Sequence, residues 1–275
     1  MKTFKSLLAS VLVLFALAGC DDHSSQQQNQ QQGQATPAAQ SAVATSENGP
    51  VNLTSLVKRY AAWGVGDKDA VIDASRMLAA NYYVVFDGSG SMGDSGCSGG
   101  DPEGRIAPAR RAMIEFVRSL PPDANLGLFV FDASGVGERV PLGHGDANRN
   151  AFVKAVGKIK AGNDTPLGTS LASAIKSLSA QASRQNGYGE YHIVVVTDGE
   201  ATDGDMMDRV VSKIVTTPVV LETVGLCIPE GHALNKPGQT VYRDAKNPDE
   251  LRKGLASVLA ESNSFASVTS FQEVR

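Results

Sequence analysis

The sequence predicts an α/β fold, a doubly wound, mostly parallel sheet with helices on both faces, and two observations carry that prediction. Tyr82 to Phe86, Asn125 to Phe131 and Tyr191 to Thr197 are short runs rich in β-branched, aromatic and aliphatic residues, with no polar alternation. Strands of that composition are covered on both faces, as strands of parallel sheets are. Segments with apolar residues at helical spacing lie between and after them, so strands alternate with amphipathic helices.

At the amino terminus Lys2 and Lys5 precede an apolar stretch, Leu7 to Ala18, that is too short to span a bilayer, and Leu17-Ala18-Gly19-Cys20 follows. The pattern resembles a bacterial lipoprotein signal. The resemblance implies that residues 1–19 are removed and that Cys20 becomes a lipidated first residue, anchoring the chain to a membrane. An ordinary signal peptide cut near Ala18 is the alternative. Asp21 and Asp22 resemble the inner-membrane retention signal of Gram-negative lipoproteins, which implies the periplasmic face of the inner membrane. Loss of Lys2 and Lys5 takes the formal charge from −4 to −6, so no basic surface suited to nucleic acid remains. Residues 20–49 are rich in glutamine and small residues, a composition that cannot bury a core and predicts a disordered tether.

Residues 50–77 contain two partly helical patterns, LTSLVKRYAAWG and DAVIDASRMLAA, read as an extension packing on the domain, with Tyr60 and Trp63 as packing residues. The domain itself is taken as residues 78–275. After the first strand, Gly93 to Arg105 is a loop by composition. A helix carrying Ala109, Met113, Phe116, Val117 and Leu120 follows and stops at Pro121-Pro122. Beyond the Asn125 strand, Glu138 to Leu142 reads as a short edge strand, because Pro141 is poorly tolerated in the middle of a sheet. Next comes a helix bearing Phe152, Val156 and Ile159. Thr165-Pro166 reads as the cap and first-turn proline of a helix that buries Leu167, Leu171, Ala174, Ile175 and Leu178. A helix from Asp205 to Ile214, a strand from Pro218 to Cys227, and a last helix opening at Asn247-Pro248-Asp249-Glu250 complete the reading.

The stretch that carries chemistry is Asn81 to Met92, NYYVVFDGSGSM. Asp87, Ser89 and Ser91 stand at i, i+2 and i+4 with Gly88 and Gly90 between them, so one carboxylate and two hydroxyls can converge at the end of a buried strand. Hard oxygens of that kind form a partial ligand set for a small divalent cation.

Asp87-Gly88-Ser89-Gly90-Ser91-Met92 resembles the D-x-S-x-S-M segment of the metal-ion-dependent adhesion site in von Willebrand factor type A domains. Asn163 to Thr169 is similar to that family's threonine loop, and Val194 to Glu200 to its strand ending in T-D-G. The resemblance spans roughly residues 78 to 262. It implies a six-stranded sheet in the order 3-2-1-4-5-6 and a metal held by Asp87, Ser89, Ser91, Thr165 and Asp198. The expected ion is Mg²⁺, with Mn²⁺ or Ca²⁺ as alternatives. In that strand order the first and fourth strands are neighbours at the reversal, where ligands bind in such sheets, so Asp87 and Asp198 are expected to meet. A partner protein is expected to complete the coordination with a carboxylate. Thr165 taken by itself can be only a helix cap, whereas Gly162, Pro166 and Gly168 around it resemble the family loop and favour the ligand reading.

Other classes fare less well. Gly88 to Gly93 also reads G-x-G-x-x-G, a dinucleotide fingerprint, but the helix that motif requires at once is replaced by a glycine-rich loop. No lipase-type nucleophile elbow surrounds Ser89 or Ser91. An aspartyl phosphotransferase would want a second acid where Ser89 stands, and no Lys or Arg lies in the three motifs. No catalytic residue is assigned and no enzyme activity is expected. A scaffold that binds its partner on another face, with a structural metal, is the remaining alternative. His144, His192 and His232 share no metal-ligand spacing and read as surface or packing residues, and Glu200 reads as a solvated loop acid or as an acceptor behind the metal ligands. With Cys20 lipidated, Cys97 and Cys227 are the remaining cysteines, and a Cys97–Cys227 disulfide is expected to pin the Gly93 to Arg105 loop beside the metal. Asp94, Asp101 or Glu103 would then cover the site.

Overall fold

The computed structural model describes residues 63–64, 69, 71–228 and 231–266, with side chains up to residue 260. The leader, Cys20, the tether and Tyr60 lie outside the described residues. The first strand, β1 (Ala80–Asp87), is buried along nearly its whole length, as its unbroken apolar run requires. It pairs in parallel with β2 (Asn125–Asp132) on one side and β4 (Glu190–Thr197) on the other. β2 continues antiparallel to the edge strand β3 (Gly135–Gly143), and β4 continues parallel to β5 (Val220–Leu226) and then β6 (Val241–Ala245). The single six-stranded sheet has the order β3-β2-β1-β4-β5-β6. The sequence placed the edge strand at residues 138–142; it runs longer, and its register shifts near Leu128 while Pro141 stays on the edge.

Among the described residues five helices cover the two faces: α1 (Ile106–Ser119), α2 (Gly145–Val156), α3 (Leu167–Arg184), α4 (Gly204–Ile214) and α5 (Pro248–Ala266). One core layer lies under α1, α2 and α5, where Tyr82, Val84 and Phe86 of β1 meet Met113, Phe116, Phe152, Leu251 and Leu255. The other lies under α3 and α4, where the alternate residues Tyr83 and Val85 meet Leu171, Leu178, Val211 and Ile214. Adjacent side chains of one strand therefore feed opposite cores, the physical meaning of a strand without polar alternation.

Two local expectations are corrected. DASRM forms only a short 3₁₀ turn, Ala74–Arg76, because Asp73 N–H is already committed to the Arg184 carbonyl and β1 begins at Ala80. Ile159 is buried, yet α2 ends at Val156, and Ile159 packs from the connecting segment. Trp63 packs edge-on against Tyr191 at 5.4 Å, and Gln185 donates to the carbonyls of Arg76 and Ala79. At the carboxyl end, Asn247 and Glu250 form the expected reciprocal cap of α5: Glu250 N–H donates to Asn247 Oδ1, and the Glu250 carboxylate accepts from Lys246 N–H. Among the described residues no helix is long and apolar enough to cross a membrane.

Candidate metal centre

Three loops meet beyond the carboxyl ends of β1 and β4. Gly88 N–H donates to the Phe131 carbonyl at 2.8 Å, Gly162 N–H to the Gly88 carbonyl at 2.9 Å, and Gly90 N–H to the Asn163 carbonyl at 3.0 Å, so the β1 loop is bonded to the segment that carries Thr165. A Cβ on Gly88 would stand 2.7 Å from the Asp132 Cβ and 2.8 Å from Ile159, so only glycine permits this approach. Thr202 N–H donates to the Thr165 carbonyl at 2.9 Å, which ties the third loop to the second.

Inside this junction the polar groups form one hydrogen-bonded chain. Asp87 is fully buried; its Oδ1 accepts from Ser89 N–H at 2.7 Å and its Oδ2 accepts from the Thr197 hydroxyl at 2.5 Å. The Ser89 and Ser91 hydroxyls are 3.1 Å apart, and the Ser91 hydroxyl donates to Asp198 Oδ1 at 2.6 Å. The carboxylates that lie 111 positions apart in the chain are thereby joined through Ser91 and Ser89, as the strand order implied. Burial pushes Asp87 up to about 6, against hydrogen bonds from Ser89 and Thr197 that lower it, with the negative charge of Asp198 adding to the rise. A buried carboxylate in that state is stabilised by a cation at close range.

Thr165 is buried at the rim, but it does not cap α3. Pro166 occupies the cap position instead of the first turn, and Asp203 serves the helix from across the junction. Its carboxylate accepts from Gly168 N–H at 2.8 Å and from Thr169 N–H at 2.8 Å. The helix end is thus satisfied without the Thr165 hydroxyl.

The sequence did not single out several residues that the structure brings here. Thr197 read as the strand end and the first residue of the T-D-G motif, with no role assigned to it, although its hydroxyl holds Asp87. His232, read as surface or packing, is buried with its Nε2 2.9 Å from the Gly199 carbonyl, stacked on Tyr242 at 5.6 Å, so it buttresses the Asp198 loop. Glu200 is exposed, as read. The largest correction concerns the Gly93 to Arg105 loop. Its cation, not an acid, enters the site: Arg105 donates to Asp198 Oδ2 at 2.8 Å. Asp101 instead pairs with Arg111 and Glu103 with Arg110, because α1 presents both arginines to the loop that precedes it. The loop is joined to the end of β5 by the Cys97–Cys227 disulfide, Cα to Cα 5.8 Å.

Among the described residues no three His, Cys, Asp or Glu side chains cluster to hold a metal ion. Two carboxylates with hydroxyls between them nevertheless match a hard divalent cation that keeps part of its water shell. Arg105 shows that Asp198 accepts a positive group in this geometry.

Comparison with solved structures supports the fold. The chain aligns with a von Willebrand factor type A protein from Catenulispora acidiphila at TM-score 0.54 and 19% identity, over 67% of this chain and 43% of that one. It aligns with the pilus adhesin SpaC from Lactobacillus rhamnosus GG at TM-score 0.54 and 15% identity, over 70% and 31%. It aligns with proximal thread matrix protein 1 from the mussel byssus, solved with a zinc-occupied metal-ion-dependent adhesion site, at TM-score 0.53 and 19% identity, over 69% and 48%. The chain therefore spans less than half the length of each of these three proteins. No curated protein sequence matches it. A family model described as von Willebrand factor type A domain matches residues 81–273, and with this sheet order beneath it the chain belongs to the von Willebrand factor type A domain family.

Proposed function

We propose that this chain is a lipid-anchored, extracytoplasmic binding module that grips an acidic group of a partner protein through a divalent metal. The observation that carries the reading is the continuous hydrogen-bonded chain from Asp87 through the Ser89 amide and the Ser89 and Ser91 hydroxyls to Asp198. Asp87, Ser89, Ser91, Thr165 and Asp198 would hold the ion, with Mg²⁺ as the first choice and Mn²⁺ or Ca²⁺ as alternatives. Bound there, such an ion supplies an electrophilic centre for an incoming carboxylate. The protein's part is positional. Thr197 and the Ser89 N–H fix both oxygens of Asp87, Ser91 orients Asp198, and the hydrogen-bonded loops hold the set at the surface end of a rigid sheet.

The site holds no arrangement of nucleophile and base suited to turnover, so the module binds rather than converts its ligand. Cys20 would carry the lipid anchor, and residues 20–49 would let the domain stand off the periplasmic face of the inner membrane. The ion pair of Arg105 with Asp198 favours a second reading, a domain of the same fold that meets its partner on another face and uses any metal structurally.

Affinity capture from a bacterial membrane extract separates the two. The first reading expects a partner whose capture is lost both with chelator and in Asp87→Ala. Capture that survives both treatments supports the second.

A further inference from the structure

The loop that enters the site is built to present one cation. Arg105 Nη1 donates to Asp198 Oδ2 at 2.8 Å while its Nε donates to the Gly96 carbonyl at 2.8 Å. The Asp198 side chain is fully buried and that of Arg105 is 14% exposed, so the pair is largely removed from solvent screening.

The backbone on either side of Arg105 is fixed independently of that pair. Arg105 N–H donates to the Asp94 carbonyl at 3.1 Å, closing the loop on itself. Gly104 lies at φ +78, where a Cβ would stand 2.3 Å from the Gly93 carbonyl oxygen, so the closure depends on glycine. Cys97, beside Gly96, is bonded to Cys227 just past the end of β5. A Cβ on Gly96 would meet Arg105 Nη2 at 3.1 Å and the Cys227 sulfur at 3.7 Å, so the guanidinium and the disulfide both lie against the Gly96 backbone. A guanidinium stays charged at every pH a protein meets, and so the loop delivers a permanent positive charge to Asp198.

We propose that Arg105 is an intramolecular rival of the divalent ion for Asp198, and that the Cys97–Cys227 bond sets how strongly it competes by holding the loop in place. The proposal rests on the reading of Asp87, Ser89, Ser91 and Asp198 as a metal site. The metal-free domain keeps Asp198 satisfied through Arg105, and an ion that takes this carboxylate must separate the pair. By linkage, whatever strengthens the arginine contact weakens the metal by the same factor.

The experiment is a calorimetric titration of Mn²⁺ into the purified full chain in detergent, comparing the wild type with Arg105→Gln and Arg105→Lys, with melting measured in parallel. Arg105→Gln is expected to bind Mn²⁺ roughly tenfold to a hundredfold more tightly, the range that loss of one charge-assisted hydrogen bond represents. Arg105→Lys, which keeps the charge but loses the planar fork, should fall between the two. Arg105→Gln should also melt lower than wild type without metal, and that deficit should vanish at saturating Mn²⁺. Reduction of the wild type should tighten binding in the same direction.

Equal or weaker Mn²⁺ binding in Arg105→Gln, with one site retained, overturns the rivalry and leaves the metal site standing. Absence of binding in wild type and variants alike overturns the metal reading beneath it. If Arg105→Gln fails to fold, Arg105→Lys decides: affinity no higher than wild type refutes the proposal. A reduced wild type with unchanged affinity removes the disulfide from the account.

Discussion

Cutting the Cys97–Cys227 bond perturbs the domain at one defined point, and its cost can be worked from the structure. The bond closes a span of 130 residues, which in the chain-entropy account corresponds to about 5 kcal/mol of stability. Part of that is offset in the folded state. Cys97 and Cys227 sit at φ 58 and φ 64, in the left-handed region. Each such residue costs roughly 1 to 2 kcal/mol, and cleavage lets both relax. The net loss is therefore roughly 1 to 3 kcal/mol. For a domain of this size that lowers the melting temperature by on the order of 6 °C. The assay is thermal unfolding of the oxidised protein against Cys97→Ser/Cys227→Ser, both in chelator so that metal binding does not enter. A double-serine variant as stable as the oxidised protein would refute the reasoning.

Thr197→Val removes the hydroxyl that donates to Asp87 Oδ2 and leaves a buried carboxylate oxygen without that donor, so stability should fall by about 1.5 to 3 kcal/mol, with Thr197→Ser restoring most of it. Denaturant unfolding of the three proteins without metal checks this, and a valine variant of wild-type stability contradicts it. His192 gives a pH dependence. Burial lowers its pKa, but hydrogen bonds and negative charge from Glu190 and Glu222 outweigh that and raise it, while Arg243 sits 3.6 Å from Glu222 and Tyr82 stacks on the ring. A histidine whose folded pKa is raised contributes stability that is fully present below its unfolded pKa of about 6.5 and is lost as pH rises through the folded value. The wild type should lose stability as pH rises above about 6.5 by an amount that His192→Gln does not show, and parallel pH profiles for the two would exclude this histidine as the source.

The sheet was legible where strands are doubly covered and hidden where they are not. Tyr82 to Phe86 and Tyr191 to Thr197 announce themselves because burial on both faces leaves no polar residue in the run. Val241–Ala245 carries Arg243 and Asp244 within five residues, lies on the sheet edge, and is defined by pairing with β5, so composition alone did not mark it. The site followed the same rule. The meeting of Asp87 with Asp198 is a consequence of strand order, and strand order follows from motifs that can be read in sequence. The Cys97–Cys227 contact was legible for a similar reason, since Cys227 follows a strand whose neighbour ends at the site.

What stayed hidden was the outcome of competition between side chains brought together only by folding. The loop reads as acidic, and its acids were expected at the metal. Arg110 and Arg111 on the first turns of α1 engage Glu103 and Asp101, and the only cation of the loop is left to face Asp198, 93 positions away. Asp203 likewise caps a helix 35 positions earlier, a service that no local pattern reports, and in doing so removes the cap role from Thr165.

The central claim is that the oxygens of Asp87, Ser89, Ser91, Thr165 and Asp198 constitute one divalent-metal site. Calorimetric titration of Mg²⁺ and Mn²⁺ into the wild type and into Ser89→Ala/Ser91→Ala tests it most directly, because the double variant removes two hydroxyls and keeps the Ser89 N–H that holds Asp87, so it is expected to fold. The account predicts a single site in the wild type that is lost in the double variant. A wild type that binds neither ion, or a double variant that binds with unchanged stoichiometry and affinity, would contradict it.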